Sequence, residues 1–513
     1  MFDLSNLHDD HVWDLICEGH TKGVFQLESQ LGRSWAKKVR PKNINELAAL
    51  ISLIRPGCLK AFTDGKSMTQ HYVDRKANID PVIYPDESLE HILKETYGVL
   101  VYQEQSMMIA QELAGFTLKD ADSLRKAIGK KKAGLMSEVK ESFLRGAESK
   151  GIVTKEIAEE IFSWIEKSNR YAFNKSHAVS YAINAYWSAY CKFHKRVPFY
   201  VSYLNHSDRK PDPQKELKEL IMDAKLSDIE VYPPRLQHLH TNFVAINNKI
   251  YFGLRHIKHI GQKECDKIEQ LYRDNDVSNY TWIDALINII YKGKINKRAA
   301  VALISVGAFS GPNNQQHREK MLYEFDSWKD LTAREQTYIS ENYNSSDSLS
   351  ECIGNMIQDT KINSRRLITV LDIKQILDNP PHEVQDNIPS IAQHEEKYMG
   401  CALTCSRMDA INTNFSTYMC KDVSRGTIKG KVSLIVQLNS IRTYKTKKGK
   451  NPGQLMAFVS AEDGSGVLDS ITVFPECYQQ YRDLLIEGNT VFINGEISKK
   501  DTTSVIINKV SQV

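Results

Sequence analysis

No stretch of this 513-residue sequence stays apolar for the roughly 20 residues that a membrane span needs. The opening MFDLSNLHDD is acidic and lacks the apolar core of a signal peptide, so a cytoplasmic location is expected. Charge of one sign is also scarce. With 67 Lys and Arg against 63 Asp and Glu, the net charge is only +4, so any polyanion site has to come from local clustering. Paired cysteines are missing: the nine cysteines include no CxxC. Cys401 and Cys405, with His394 upstream and Cys420 downstream, are spaced more widely than structural zinc sites favour. Reduced thiols are the expectation. What remains is an ordinary globular composition, 41% hydrophobic and 25% charged, with length for about three domains.

Periodicity separates the chain into regions. Residues 1–235 read as mostly helical, punctuated by RPGC and YPDES, and end at the break VYPPRL, where adjacent prolines cannot continue a helix. Within them, a short apolar run at 98–102 precedes a helix that turns Met107, Ile109 and Leu113 mostly inward. Residues 236–311 hold short helices around glycine turns. LRHIKHIGQKECDKIEQL places Gly261 in a turn before an amphipathic helix, and INKRAAVALISVGAFSG gives a second helix ending at Gly307. That pattern resembles a helix-hairpin-helix unit, whose turn aims backbone N–H groups at a phosphate. Lys258, Lys263, Lys297 and Arg298 would flank Gly261 as DNA-binding residues. Residues 312–427 are polar, with patches such as NYNSSDSLS and DNPPHEVQDNIPS, and read as a partly helical, hinge-like connector. From 428 to 513 the period changes to two. Five strands, with ECYQQYRDLLIEG between the third and fourth, suggest an OB-fold. The loop joining its first two strands carries Lys445, Lys447, Lys448 and Lys450, a basic loop suited to single-stranded nucleic acid. The fold class is therefore mainly α with a C-terminal β-barrel.

Two clusters carry the chemistry. LRKAIGKKKAG packs Arg125, Lys126, Lys130, Lys131 and Lys132 into one short stretch. Thr117 and Asp120 read as a helix start, and Gly129 as its stop. Arg125 and Lys126 then fall in the last turn, where cations complement the helix dipole; the three lysines lie beyond the stop and crowd like charges together. The second cluster is NRYAFNKSHAVSYAINAYWSAYCKFHK. Val179, Ala182, Ile183, Tyr186, Ala189, Tyr190 and Phe193 define a helix face, and Ser176 or Asn174 is a natural N-cap. Lys175 and His177 therefore sit at a helix N-terminus, where polar groups meet anions.

GVFQLES (23–29), LIRPGCL (53–59), YVDRK (72–76), YPDESLEHILKETYGVLVYQEQSMMIAQELAGFTLKDADSLRKAIGKKK (84–132) and FNKSHAVSYA (173–182) follow one another as they do in one known family. With VYPPRLQHLHTNFV and YFGLRHIKHIG after them, the chain resembles the C-terminal part of a C-family replicative DNA polymerase, the bacterial-type DNA polymerase III alpha subunit. The resemblance implies a fingers domain over 1–235, a helix-hairpin-helix module over 236–311, the connector over 312–427 and an OB-fold over 428–513. It implies that Arg55, Arg75, Lys76, Arg125, Lys126, Asn174, Lys175, Ser176, His177 and Tyr181 hold the triphosphate of an incoming dNTP, and that Lys130, Lys131 and Lys132 grip DNA. Cations are what a transferring phosphoryl group requires. Relatives more often carry Arg at position 126; the Lys found here lacks the bidentate fork.

The family's catalytic palm aspartates, which hold two metal ions, precede GVFQLES. The acidic pair in DAD does not replace them, because Asp120 and Asp122 at i and i+2 point apart on a helix. The resemblance thus implies one half of a split DNA-directed DNA polymerase, inactive in isolation and carrying no catalytic or metal-binding residue of its own. The palm and the Mg²⁺ ligands are expected on a partner chain that also holds the PHP domain, in a bacteriophage genome or another split gene, unless the sequence is a fragment of a longer chain. Primer-template DNA and dNTPs are the expected ligands, with a sliding clamp as a further partner; QTYISENY (336–343) is a poor match to a clamp-binding peptide. The competing function is a non-catalytic DNA-binding or processivity protein on the same fold. An RNA-binding OB protein is a third, because every base has a stackable face.

Overall fold

The computed structural model describes residues 5–130, 133–169, 172–411, 416–446, 452–499 and 501–513. Lys131, Lys132, Lys447, Lys448 and Lys450 lie outside the described residues, as does the side chain of Lys130. The chain divides into two compact units, Met1–Phe199 and Tyr200–Val513.

The first unit opens with helices α1 (Asp10–Cys17), α2 (Gln30–Val39), α3 (Ile44–Leu53) and α4 (Pro56–Lys60). A two-residue hairpin, β1 (Phe62–Thr63) and β2 (Lys66–Ser67), leads to α5 (Met68–Lys76) and α6 (Glu90–Leu93). Then come α7 (Gln103–Ala114), α8 (Leu118–Lys130), α9 (Ala133–Lys150), α10 (Lys155–Asn169) and the long α11 (Lys175–His194). Two apolar cores result. One joins α1, α2 and α3 to α11; the other joins α7, α8, α9 and α10. The run at 98–102 lies between them and alternates: Val99 and Val101 enter the first core and Leu100 the second. Ile109 and Leu113 are buried as expected, and Met107 packs at the edge.

One local expectation is corrected. Helix α8 does not stop at Gly129 but runs through it to Lys130, so Arg125 and Lys126 are mid-helix residues. Ala121, Leu124 and Ala127 anchor the helix in the second core, and that packing outweighs the roughly 1 kcal/mol propensity cost of one interior Gly. On α11 the fully buried residues are Ala178, Ala182, Ala185, Tyr186 and Ala189, with Val179, Tyr190 and Phe193 at the flanks. Ala182, Tyr186 and Ala189 are buried as expected, and Ala178 and Ala185 extend the face as a stripe of small side chains that lets neighbouring backbones approach closely.

The chain passes to the second unit within α12 (Arg196–Asn205), followed by α13 (Pro213–Leu226). A small sheet has β3 (Val231–Tyr232) parallel to β5 (Lys249–Tyr251), which pairs antiparallel with β4 (Val244–Ile246). Helix α14 (Gln262–Asp274) starts at Gly261, and after the short α15 (Trp282–Asp284), α16 (Lys297–Ser305) ends just before Gly307, which has φ +78°. The left-handed backbone and missing side chain at Gly307 matter, because a Cβ there would stand 2.7 Å from the Arg318 guanidinium.

Residues 312–427 are far more helical than the hinge-like connector the sequence suggests: α17 (Arg318–Lys329), α18 (Ala333–Asn342), α19 (Leu349–Asp359), α20 (Ser364–Asp378), α21 (Ile388–Met399) and α22 (Cys420–Ser424). The polar patches are helix starts. Ser348 and Glu351 form a capping box on α19, and Asn387 caps α21 just ahead of Pro389. The last region is a closed barrel of β6 (Lys431–Lys445), β7 (Leu455–Glu462), β8 (Val467–Val473), β9 (Thr490–Ile497) and β10 (Val505–Gln512), with α23 (Pro475–Tyr481) between the third and fourth strands. β6 pairs with β7 and β9, β7 with β8, and β10 closes the ring parallel to β8. That order is the five-stranded OB arrangement expected from the period-two segments. Among the described residues no helix is long and apolar enough to cross a membrane.

Candidate nucleotide and nucleic-acid interface

Asn174 is the N-cap of α11, its Oδ1 accepting from the His177 N–H at 2.9 Å and from the Ser176 hydroxyl at 2.7 Å. This exposes the His177 ring on the first turn, 4.2 Å from the Tyr181 ring and 5.3 Å from that of Phe173. Tyr181 meets Phe25 edge-on at 5.1 Å. On the other side, the exposed Arg55 guanidinium lies 3.6 Å over the Phe173 ring. Arg55 is the extended N-cap of α4, directly before Pro56. Residues from three separate motifs thus form one ribbon, Phe25–Tyr181–His177–Phe173–Arg55. A stacked guanidinium is held in plane while its N–H donors remain suited to phosphate oxygens.

The segment Tyr102–Gln105 holds this ribbon in place. Tyr102 and Phe173 form a parallel bridge; the Phe173 N–H donates to Val101 O at 3.1 Å and the Gln103 N–H to Phe173 O at 3.0 Å. Glu104 accepts from Asn174 Nδ2 at 2.7 Å and from the Lys175 N–H at 2.9 Å. Gln105 turns inward, accepting from the Val101 and Tyr102 N–H groups and donating to Thr96 Oγ1. Beside Thr96, Glu95 pairs with Lys175 Nζ at 2.6 Å. The α11 start therefore already meets two carboxylates. Glu95, Glu104, Phe25 and Phe173 lie within the family-like segments but are not among the site residues expected from the sequence. The two carboxylates reach their partners across 70–80 residues, and no local pattern marks them.

Arg75 and Lys76 both donate to backbone carbonyls. Arg75 donates to Tyr97 O at 3.2 Å, reaching it past Gly98, where a Cβ would stand 2.9 Å from its Nη1; burial pulls its guanidinium below the ordinary value. Lys76 Nζ donates to Val39 O and Arg40 O and pairs with Glu46 at 2.7 Å, with only 15% of its side chain exposed. On α8, Asp122 pairs with Arg125 at 2.7 Å and with Lys126 at 2.6 Å, and these two cations hold its carboxyl below the ordinary range. Asp120 instead closes the α8 N-terminus with Thr117. The two acids of DAD serve different partners, as the helical geometry requires.

In the second unit the starts of α14 and α16 are adjacent: Asn296, the N-cap of α16, donates from Nδ2 to Glu264 in the first turn of α14 at 2.8 Å. A Cβ at Gly261 would meet the Glu264 carboxylate at 3.7 Å, an ordinary contact, and Lys258, Lys263, Lys297 and Arg298 are all exposed. On the barrel, Lys445 is exposed at the end of β6. Register places Arg442 opposite Phe458 and Tyr444 opposite Met456 on the outer face, where Tyr444 and Phe458 are nearly half exposed. The period of two carries this signal: Ala457, Val459 and Ala461 face inward, so Phe458 is a large aromatic on the outward register. Among the described residues no three His, Cys, Asp or Glu side chains form a metal-holding group; Cys401 and Cys420 are buried free thiols.

Residues 2–151 match the family model described as the bacterial DNA polymerase III alpha subunit finger domain, and residues 228–321 match a helix-hairpin-helix motif. The DNA polymerase III subunit alpha of Aquifex aeolicus is 32% identical over 492 residues, covering 95% of this chain and 37% of the relative. That of Borreliella burgdorferi is 29% identical over 522 residues, covering 100% and 42%. That of Bacillus subtilis is 28% identical over 519 residues, covering 99% and 42%. The chain spans about two fifths of the length of these relatives. With a matching finger domain, a helix-hairpin-helix module and a C-terminal five-stranded barrel in that order, the chain belongs to the bacterial-type DNA polymerase III alpha subunit family.

Proposed function

We propose that this chain is the fingers and DNA-binding half of a DNA-directed DNA polymerase that acts in replication. In this reading it binds the incoming dNTP and the primer-template, and a separate palm-bearing chain supplies the catalytic aspartates. The observation that carries the reading is the ribbon from Phe25 to Arg55, which draws side chains from GVFQLES, LIRPGCL and FNKSHAVSYA to one surface. Arg55 and His177 supply donors for phosphate, and the rings of Phe173, Tyr181 and Phe25 supply faces for a base or sugar.

In this reading Arg125 and Lys126 of α8 serve the triphosphate, and the basic starts of α14 and α16 serve the DNA backbone. The Asp122 pairs are exposed, so Arg125 and Lys126 exchange a carboxylate for a phosphate at little cost. Arg75 and Lys76 act behind the surface, through the backbone positions they hold. On the barrel, Tyr444, Phe458 and Arg442 offer a stacking platform for single-stranded template, with Lys445 on its backbone. Mg²⁺ in polymerases clamps the attacking and leaving oxygens between two ions. The described residues of this chain offer it no cage, so no step is assigned to it.

The test is single-turnover incorporation on a primed template, with the purified chain alone and with the palm-bearing partner from the same source. The chain alone binds DNA and incorporates nothing; the pair extends the primer in Mg²⁺, and Arg55→Ala cuts that rate about a hundredfold, the scale of losing one transition-state donor. Extension by the chain alone overturns the division of labour. DNA binding by the pair with no extension favours the non-catalytic alternative.

A further inference from the structure

The geometry points to Glu104 as the positioning residue of the nucleotide surface, a role that rests on the reading of the Phe25–Arg55 ribbon given above. Two helix starts converge on this one carboxylate. Glu104 lies in the first turn of α7 and accepts the first N–H of α11, so it meets the positive ends of two helix dipoles. Its other oxygen takes Asn174 Nδ2. The orientation of Asn174 is not open, because Oδ1 is committed to the His177 N–H and the Ser176 hydroxyl. Two donors therefore face position 104, and only a side chain with two acceptor oxygens satisfies both. Glutamine, nearly identical in shape, does not: its amide N–H₂ would meet a donor at one of the two contacts. Glu104 touches neither Arg55 nor His177. It acts through Asn174, which sets the His177 turn, while the neighbouring Gln103 N–H fixes Phe173 under Arg55.

This donor–acceptor logic can be inverted. Glu104→Gln alone opposes two donors, and Asn174→Asp alone opposes two carboxylates. When the two substitutions are combined, the new amide at position 104 accepts from the Lys175 N–H and donates to the second oxygen of the new carboxylate at position 174, whose first oxygen still caps α11. The full chain is measured in four forms (wild type, Glu104→Gln, Asn174→Asp and the double variant) with Arg55→Ala alongside. Amide hydrogen exchange is read over residues 175–178. Affinity for a fluorescent primed template with Mg²⁺ and the matching dNTP is read in parallel. Each single variant is expected to exchange about tenfold faster and to bind roughly three- to tenfold more weakly, the scale of one lost charge-assisted contact. The double variant recovers both to within about twofold of wild type, which a purely destabilising lesion would not do. Wild-type exchange in Glu104→Gln, or a double variant no better than the worse single, overturns the proposal. If exchange follows the pattern and Arg55→Ala weakens binding but Glu104→Gln does not, the role of Glu104 falls and the nucleotide reading stands. If no variant, Arg55→Ala included, alters binding, both fall together.

Discussion

Helix α8 and the start of helix α11 carry similar polar side chains and settle them in opposite ways. On α8, Arg125 and Lys126 find Asp122 three and four residues back on the same helix. At α11, Asn174 and Lys175 find Glu104 and Glu95, 70 to 80 residues back on other segments. The α8 pairs survive or fail with one helix and fix nothing else. The α11 contacts exist only when two segments are docked, so they define a surface. Sequence distance between charge partners thus separates decoration from architecture in this chain, and the same rule orders the consequences of breaking them.

The largest effect is expected at a pair that is long-range and is the most buried ion pair among the described residues. Arg318 joins Glu395 at 2.8 Å, with the Glu395 side chain fully buried, and also reaches Ser305 O and Thr404. Arg318→Ala leaves a buried carboxylate without its charge partner and is expected to cost about 3–5 kcal/mol in denaturant unfolding of the second unit. A loss below about 1 kcal/mol breaks the comparison. Glu46 comes next. It ties α3 to α5 through Lys76 and accepts the Tyr97 hydroxyl at 3.1 Å. Glu46→Ala is expected to cost about 1–3 kcal/mol. The Tyr97 phenol, pushed up to about 12 by burial and by the Glu46 carboxylate, should fall back toward its ordinary range in an ultraviolet titration.

His256 sharpens the rule with a neutral group. Burial, then the neighbouring Arg255 charge, pushes its imidazole down to about 4, while its Nε2 accepts from Arg255 Nε. The unfolded chain takes up a proton near pH 6.5, whereas the folded chain resists until about 4. Its stabilising contribution is therefore complete above pH 6.5 and declines as pH falls toward 4, by at most about 1.4 kcal/mol per pH unit. His256→Phe should flatten that slope in melts taken across this window. Smallest of all is Asp122→Ala, expected to leave the unfolding midpoint within experimental scatter while tightening DNA binding slightly, because two cations lose their local partner. A large destabilisation there would place α8 with the architectural pairs.

Elements whose signals are local were readable before folding. The five strands follow from alternation, because the OB arrangement puts one apolar residue inward at every second position, and the helix between the third and fourth stands where that alternation lapses. Asn174 capping α11 and Gly261 opening α14 follow from helix-start chemistry. Gly129 misled because propensity is a weak term against Leu124 and Ala127 in a core. The polar patches after residue 312 misled because Ser and Asn serve loops and N-caps alike; only the Glu three residues after Ser348 separates the two uses. The Phe25–Arg55 ribbon itself was only half legible. All five residues stand in family-like segments, but what brings them together is Glu104 and the Tyr102–Phe173 bridge, and these are long-range contacts that leave no periodic trace.

Helix α17 offers no side-chain cap at its own N-terminus; Asp386, from 67 and 68 positions later, accepts from the Arg318 and Glu319 N–H groups at 3.0 Å each. Helix α18, by contrast, carries Thr332 and Glu335 as its own capping box. On a ribosome that adds about 5–20 residues per second, the α17 start waits roughly 3–14 s after its own synthesis for its acceptor to emerge. The later helix can therefore set before the earlier one is finished. In this region the acceptor that closes the earlier helix is synthesised last, and a pause in synthesis between residues 319 and 386 would leave the α17 start without Asp386 for its full duration.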